Sequence, residues 1–183
     1  MRVCIFPGTF NPIHSAHLRM ADFAVSHYGF DKVIFIPAYI PPHKDINSNL
    51  AGHRFNMVKL AIEDNPHFEI SDIEYHMEGK SYSLITVKKI IETYDIQDKV
   101  NFLIGTDAFE KINSWYRIDE LKKLVHFIVF PRGVKISRKE GFDYELAPMD
   151  FLDISSTELR KKNNSTIEKV KEYIEKNDLY GIH

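Results

Sequence analysis

His14 and His17 stand three residues apart in the stretch GTFNPIHSAH, positions 8–17. At that spacing two imidazoles share one face of the first turn of a helix. Gly8 lets a ligand approach the backbone, Thr9 adds a hydroxyl, and Asn11-Pro12 bends the chain. A helix N-terminus attracts anions through its free N–H groups and its dipole. Two imidazoles placed there can donate hydrogen bonds to phosphate oxygens. Taken alone, the pair is explained as simply by one capping and one packed histidine, and next by a metal pair. Its place between a strand and a helix favours phosphate. The three-glycine dinucleotide fingerprint is absent, since only Gly8 is present.

A second anion site is read at DISSTELRKK, 153–162. Ser155 with Glu158 makes a capping box, which accounts for Ser155 alone. Ser156 and Thr157 remain to be explained, and Arg160 lies one turn on along the same side. Three hydroxyls, free N–H groups and a guanidinium suit a polyphosphate. Two such helix starts suit a nucleoside triphosphate, although no P-loop signature is present.

Positioning these groups requires a frame, and the hydrophobic pattern supplies one. Apolar runs of strand length at 2–6, 32–37, 99–105 and 125–130 alternate with helical patterns at 15–29, 51–66, 81–95 and 166–181. The stretch 68–75 alternates like a strand, 144–149 is a weaker one, a helix follows 105 through about 114, and another opens at 155. Unbroken apolar strands separated by helices predict an α/β fold: a Rossmann-like, doubly wound, mostly parallel sheet with helices on both faces. A single domain over 1–183 is expected, its helical part from about 154 packing on the rest. Ligands of such sheets bind outside the carboxyl ends of the strands. That rule selects the segments after 6, 37, 105 and 131, and 153–157.

The bulk properties limit the partners. The chain has 183 residues, a net charge of −2 and one cysteine. The charge argues against a general nucleic-acid binder. Cys4, in an apolar run, reads as a small core residue in a reducing compartment. No segment reaches the ~20 apolar residues of a membrane span. A cytoplasmic protein without membrane or nucleic-acid partners is expected, and a homo-oligomer is compatible with the sequence. Arg54 and the run Arg160-Lys161-Lys162 read as solvated, and the histidines beyond 14, 17 and 43 as surface or satisfied positions.

Together GTFNPIHSAH and ISSTELR resemble the two motifs of the nucleotidyltransferase superfamily that shares an HxGH-type signature with class I aminoacyl-tRNA synthetases. Within it, IPAYIPPHK (36–44), KSYSLITVKKI (80–90), LIGTDAFEKINSWYRIDEL (103–121) and FIVFPRG (127–133) are similar, in order, to bacterial nicotinate-nucleotide adenylyltransferases. Ala16 stands where glycine is commoner, and Asn11 where aspartate is commoner; Asn11 is read as shaping the turn.

The resemblance implies adenylyl transfer from ATP, with Mg²⁺, to the 5′-phosphate of nicotinate mononucleotide. The products are nicotinate adenine dinucleotide and pyrophosphate. It implies that His14 and His17 are catalytic and contact the α-phosphate. Gly8, Thr9, Phe10, Gly105, Asp107, Ser155, Ser156, Thr157 and Arg160 would complete the ATP site, with Gly105 and Asp107 on ribose hydroxyls. Lys44, Tyr82, Ser83, Trp115, Tyr116 and Arg132 would take the acceptor, Trp115 by stacking on the pyridine ring. A lone Trp is as well explained by core packing. No protein ligand for the metal is implied. The alternatives are a related enzyme using nicotinamide mononucleotide or pantetheine phosphate, and a non-catalytic nucleotide sensor.

Overall fold

A computed structural model describes residues 1–42, 50–131, 137–149 and 164–181. Six parallel strands form one sheet in the order β3-β2-β1-β4-β5-β6. They are β1 (Val3–Gly8), β2 (Lys32–Pro37), β3 (Phe68–Ile70), β4 (Val100–Gly105), β5 (Val125–Phe130) and β6 (Asp143–Leu146). The helices are α1 (Ser15–Tyr28), α2 (Ala51–Ile62), α3 (Ser83–Tyr94), α4 (Thr106–Glu110), α5 (Ile118–Leu121) and α6 (Asn164–Lys176).

The strands bury alternate residues on opposite faces, as the pleat demands. Cys4, Phe6, Val33, Phe35, Leu103, Ile128 and Phe130 meet the apolar stripes of α1, α2 and α6. Ile5, Ile34, Ile36, Phe102, Ile104, Phe127 and Val129 meet α3 and the segments around α4 and α5. The predicted doubly wound fold is therefore present, with Cys4 in its core and its thiol pushed up by burial. Helix α6 lies on α2: His53 Nδ1 and Tyr173 Oη are 2.8 Å apart, and Lys169 pairs with Glu63 and Asp64 at 2.8 and 2.7 Å.

Several boundaries differ from expectation. The strand predicted over 68–75 ends at Ile70, because Ser71 Oγ accepts from the Ile73 amide at 3.3 Å and the chain turns into a 3₁₀ helix, Ile73–His76. The helix expected through 114 breaks after Glu110 into α4 and a second 3₁₀ turn, Ile112–Ser114. Helix α2 stops at Ile62, before the Asn-Pro pair, and α6 at Lys176. Gly29 ends α1 as predicted, in the left-handed conformation at φ 70°, its amide bonding the carbonyls of Ala24 and Val25. The helix expected at 155 lies outside the described residues.

Candidate active site

The sheet order reverses at β1, which has β2 on one side and β4 on the other. Beside β2, pairing runs to the end, Gly8 opposite Pro37. Beside β4, it covers only Cys4↔Asn101 and Ile5↔Phe102. The same offset sets Gly8 level with Gly105, and the ladder between these two strand ends is open. Such a switch point is where open α/β sheets bind ligands.

The turn leaving β1 begins at this strand end and packs toward β2 and α2, its Thr9 carbonyl held by Arg54 and the Phe10 ring set against Phe35. Gly8 is tightly overlaid: a Cβ there would meet the Phe10 ring at 3.0 Å. Phe10 has φ 49°, and its ring is buried against Phe6, His17 and Phe35, with centroids 5.4, 5.0 and 5.8 Å away. The Phe10 side chain therefore packs in the core and does not face the opening. The Asn11–Pro12 peptide is cis. His14 is then the N-cap of α1.

The two histidines are organised by each other. The His14 amide donates to His17 Nδ1 at 3.0 Å, and the rings stack with centroids 3.8 Å apart. An Nδ1 that accepts leaves the ring proton on Nε2. His17 Nε2–H is therefore a donor, and the half-buried ring is steadied by Phe10 and by Phe6 at 6.0 Å. His14 is exposed.

Across the opening, Gly105 is the N-cap of α4, and Asp107 is exposed in its first turn. Trp115 follows the second 3₁₀ turn. It is half-buried, and its ring lies 6.0 Å from that of Phe102. The ring thus packs in part and is in part exposed. Tyr82 and Tyr116 stack with centroids 4.4 Å apart, bringing the N-terminus of α3 beside the Trp115 segment. Ser83 opens α3. The Ser start expected at 81 is displaced. Ser81 is buried, and its Oγ accepts from the amides of Tyr39 and Ile40 at 3.3 and 3.2 Å. Lys44, Arg132, Ser155, Ser156, Thr157 and Arg160 lie outside the described residues.

Two residues of the neighbourhood were misjudged or unread in the sequence. Arg54, expected in solvent, is fully buried. It belongs to the inward stripe of α2 with Ala51, Met57, Val58, Ala61 and Ile62, and that helical spacing was the available signal. Burial pulls its guanidinium below its ordinary value, opposed by Tyr75, Tyr180 and Glu74. Glu74 is also buried, and burial pushes its carboxyl up to about 7, against the Thr86 and Ser81 hydroxyls and Arg54. Thr86 Oγ1 donates to Glu74 Oε2 at 2.7 Å.

Among the described residues, no three His, Cys, Asp or Glu side chains gather as a metal cage. Nor, among the described residues, is any helix long and apolar enough to cross a membrane.

Comparison with known proteins agrees with this geometry. Residues 5–162 match the cytidylyltransferase-like family. A Caldicellulosiruptor saccharolyticus protein named as a probable nicotinate-nucleotide adenylyltransferase is 41% identical, over 98% of this chain and 99% of its own. The nicotinate-nucleotide adenylyltransferase of Bacillus subtilis is 38% identical, over 98% of both chains. The fold is that of Plasmodium falciparum nicotinic acid mononucleotide adenylyltransferase, solved with NaAD: TM-score 0.75, 23% identity, 100% of this chain and 98% of that one. A doubly wound sheet, a paired-histidine turn at its switch point and full-length similarity converge, and the chain belongs to the nicotinate-nucleotide adenylyltransferases of the cytidylyltransferase-like family.

Proposed function

We propose that the protein transfers the adenylyl group of ATP to the 5′-phosphate of nicotinate mononucleotide, as a step of NAD biosynthesis in the cytoplasm. A phosphate oxygen of the acceptor forms a bond to the α-phosphorus while the bond to the bridging oxygen of the β-phosphate breaks. Nicotinate adenine dinucleotide forms and pyrophosphate leaves. The nucleophile is already an anion, so alignment and charge stabilisation suffice and no covalent enzyme intermediate is needed.

The observation that carries this reading is the donor set at the open end of β1. His17 Nε2–H, oriented by the His14 amide at 3.0 Å, serves the charge developing on the α-phosphate. His14 assists it, and Gly8, Thr9 and the Phe10 backbone hold the neighbouring phosphate oxygens. Gly105 and Asp107 take the ATP ribose. Ser155, Ser156, Thr157 and Arg160 take the β- and γ-phosphates, and Lys44 and Arg132 the acceptor phosphate. Trp115 stacks on the pyridine ring, while Tyr82, Ser83 and the Tyr116 backbone read its carboxylate. Mg²⁺ enters with ATP as the metal of that substrate, held by phosphate oxygens and water.

Purified protein given ATP, Mg²⁺ and nicotinate mononucleotide should release pyrophosphate well above a His17→Ala control. Nicotinamide mononucleotide and pantetheine phosphate, offered in competition, should be the poorer acceptors. Preference for either would reassign the acceptor, and ATP binding without turnover on any acceptor would make the protein a sensor.

A further inference from the structure

The turn that carries Thr9, Phe10 and Asn11 is gripped from two sides by residues outside the substrate contacts named above. From one side comes Arg54. Its Nη1 donates to the Thr9 carbonyl at 2.7 Å and its Nη2 to the Tyr39 carbonyl at 3.1 Å. Its Nε has no hydrogen-bond partner among the described residues. From the other side, the Tyr180 hydroxyl donates to Asn11 Oδ1. Burial raises Tyr180 above the usual phenol value, so the proton it donates stays in place at neutral pH. Between the two grips sits Phe10 at φ 49°. A non-glycine residue in that region stays there only when its surroundings hold it.

Arg54 reaches further than the turn. Tyr39, whose carbonyl it holds, follows β2, and the Tyr39 and Ile40 amides both donate to Ser81 Oγ. The Ser81 amide returns a bond to the Ile40 carbonyl at 2.8 Å. Tyr82 and Ser83 come next in the chain. One guanidinium thus ties the ATP-side turn to the segment that leads into the acceptor side. Its planar fork spans two carbonyls at once, which a lysine ammonium on a single stem does not do. A fully buried cation held by two carbonyls, with Nε unpartnered among the described residues, is costly to keep, and ordinary core packing at this inward position would be met by an aliphatic side chain.

We propose that Arg54 and Tyr180 are positioning residues for adenylyl transfer: Arg54 holds the ATP turn and the acceptor segment in one frame, and Tyr180 fixes the same turn from its far side. The inference rests on the reaction proposed above. Misplacing reacting groups by about an ångström slows the chemical step ~100-fold. The loss therefore falls on kcat more than on either KM.

The test is pyrophosphate release with ATP and nicotinate mononucleotide each varied, for Arg54→Lys, Tyr180→Phe, Asn11→Ala and the double variant Asn11→Ala/Tyr180→Phe, with thermal melts alongside. Tyr180→Phe should lower kcat about 3- to 10-fold, the size of one lost hydrogen bond. Arg54→Lys should lower it ~10- to 100-fold, with both KM values within about threefold of wild type in each case. Because Tyr180 acts through Asn11, the double variant should be no slower than the slower single one. Wild-type kcat in Tyr180→Phe, a loss confined to KM, or additive losses in the double variant overturn the inference. If Arg54→Lys fails to fold, the Tyr180 and Asn11 variants decide. An inactive wild type overturns the proposed reaction and this inference with it. An active wild type with unimpaired variants overturns the inference alone.

Discussion

The His14 amide and His17 Nδ1, 3.0 Å apart, fix which nitrogen of His17 carries a proton. An N-cap amide that would otherwise need water is satisfied, and the ring proton on Nε2 becomes a donor of set direction. Stability of the helix start and orientation of the proposed catalytic group rest on the same bond.

His17→Ala should therefore lower kcat ~100- to 1,000-fold, as loss of one transition-state donor does, while ATP affinity changes little. His17→Gln places an amide donor near the former Nε2 and should recover part of the loss. Titration with a non-hydrolysable ATP analogue, alongside pyrophosphate release, checks both. Equal losses in binding and turnover would refute the assignment.

Gly8→Ala should damage the turn itself. The added Cβ meets the Phe10 ring at 3.0–3.2 Å, and that ring is locked among Phe6, His17 and Phe35. Overpacking of this kind costs about 1–3 kcal/mol. A lowered melting temperature together with lost turnover is the expected outcome, and an unchanged melt would show that the ring moves freely.

Trp115→Ala should separate the two substrates. The half-buried ring lies against Phe102, and the function proposed above puts the pyridine ring of the acceptor on it. Loss of an aromatic platform under a base raises KM for nicotinate mononucleotide by about 5- to 100-fold, with KM for ATP nearly unchanged. Steady-state kinetics on both substrates decide; an equal rise in the two would mean the effect is structural.

Glu74 predicts a pH-dependent stability. Its carboxyl moves from 4.5 to about 7 on folding, chiefly through burial, opposed by Thr86, Ser81 and Arg54; Tyr75, coupled electrostatically to both Glu74 and Arg54, lies in the same cluster. The folded chain keeps a proton that the unfolded chain releases. The associated stability is full below about pH 4.5 and is lost as pH rises to about 7. The loss is on the order of 3 kcal/mol. Glu74→Gln should flatten this slope between pH 5 and 8 in denaturant melts, whatever its effect at a single pH. An unaltered slope would place the carboxylate charged throughout.

The parts legible in the sequence share a physical origin. Buried parallel strands need unbroken apolar runs, and a turn of glycine, hydroxyl and two histidines is compact in the chain, so the strands 3–8 and 100–105 and the paired histidines 14 and 17 announce themselves. What stayed hidden depends on contacts between distant segments. Arg54 has the spacing of a core residue and the chemistry of a surface one, and chemistry outweighed spacing. Ser81 reads as a helix cap but serves the amides of Tyr39 and Ile40. Glu74 sits in an alternating stretch that leaves the sheet after Ile70, a departure set by Ser71 rather than by hydrophobicity. The Tyr180 bond to Asn11 joins residues from the two far ends of the described chain, and no local pattern encodes it.

The place of β1 also governs how the protein is made. Its inner partner β4, in register through Cys4↔Asn101, leaves the ribosome long after β1 itself. Until then an apolar strand with an unpaired side is exposed, the condition that invites mispairing between chains. Parallel pairing across so long a loop is slow to form. The histidine turn precedes in the chain the Arg54, β4 and Tyr180 groups that pack around it, so turnover should appear late and all at once during refolding.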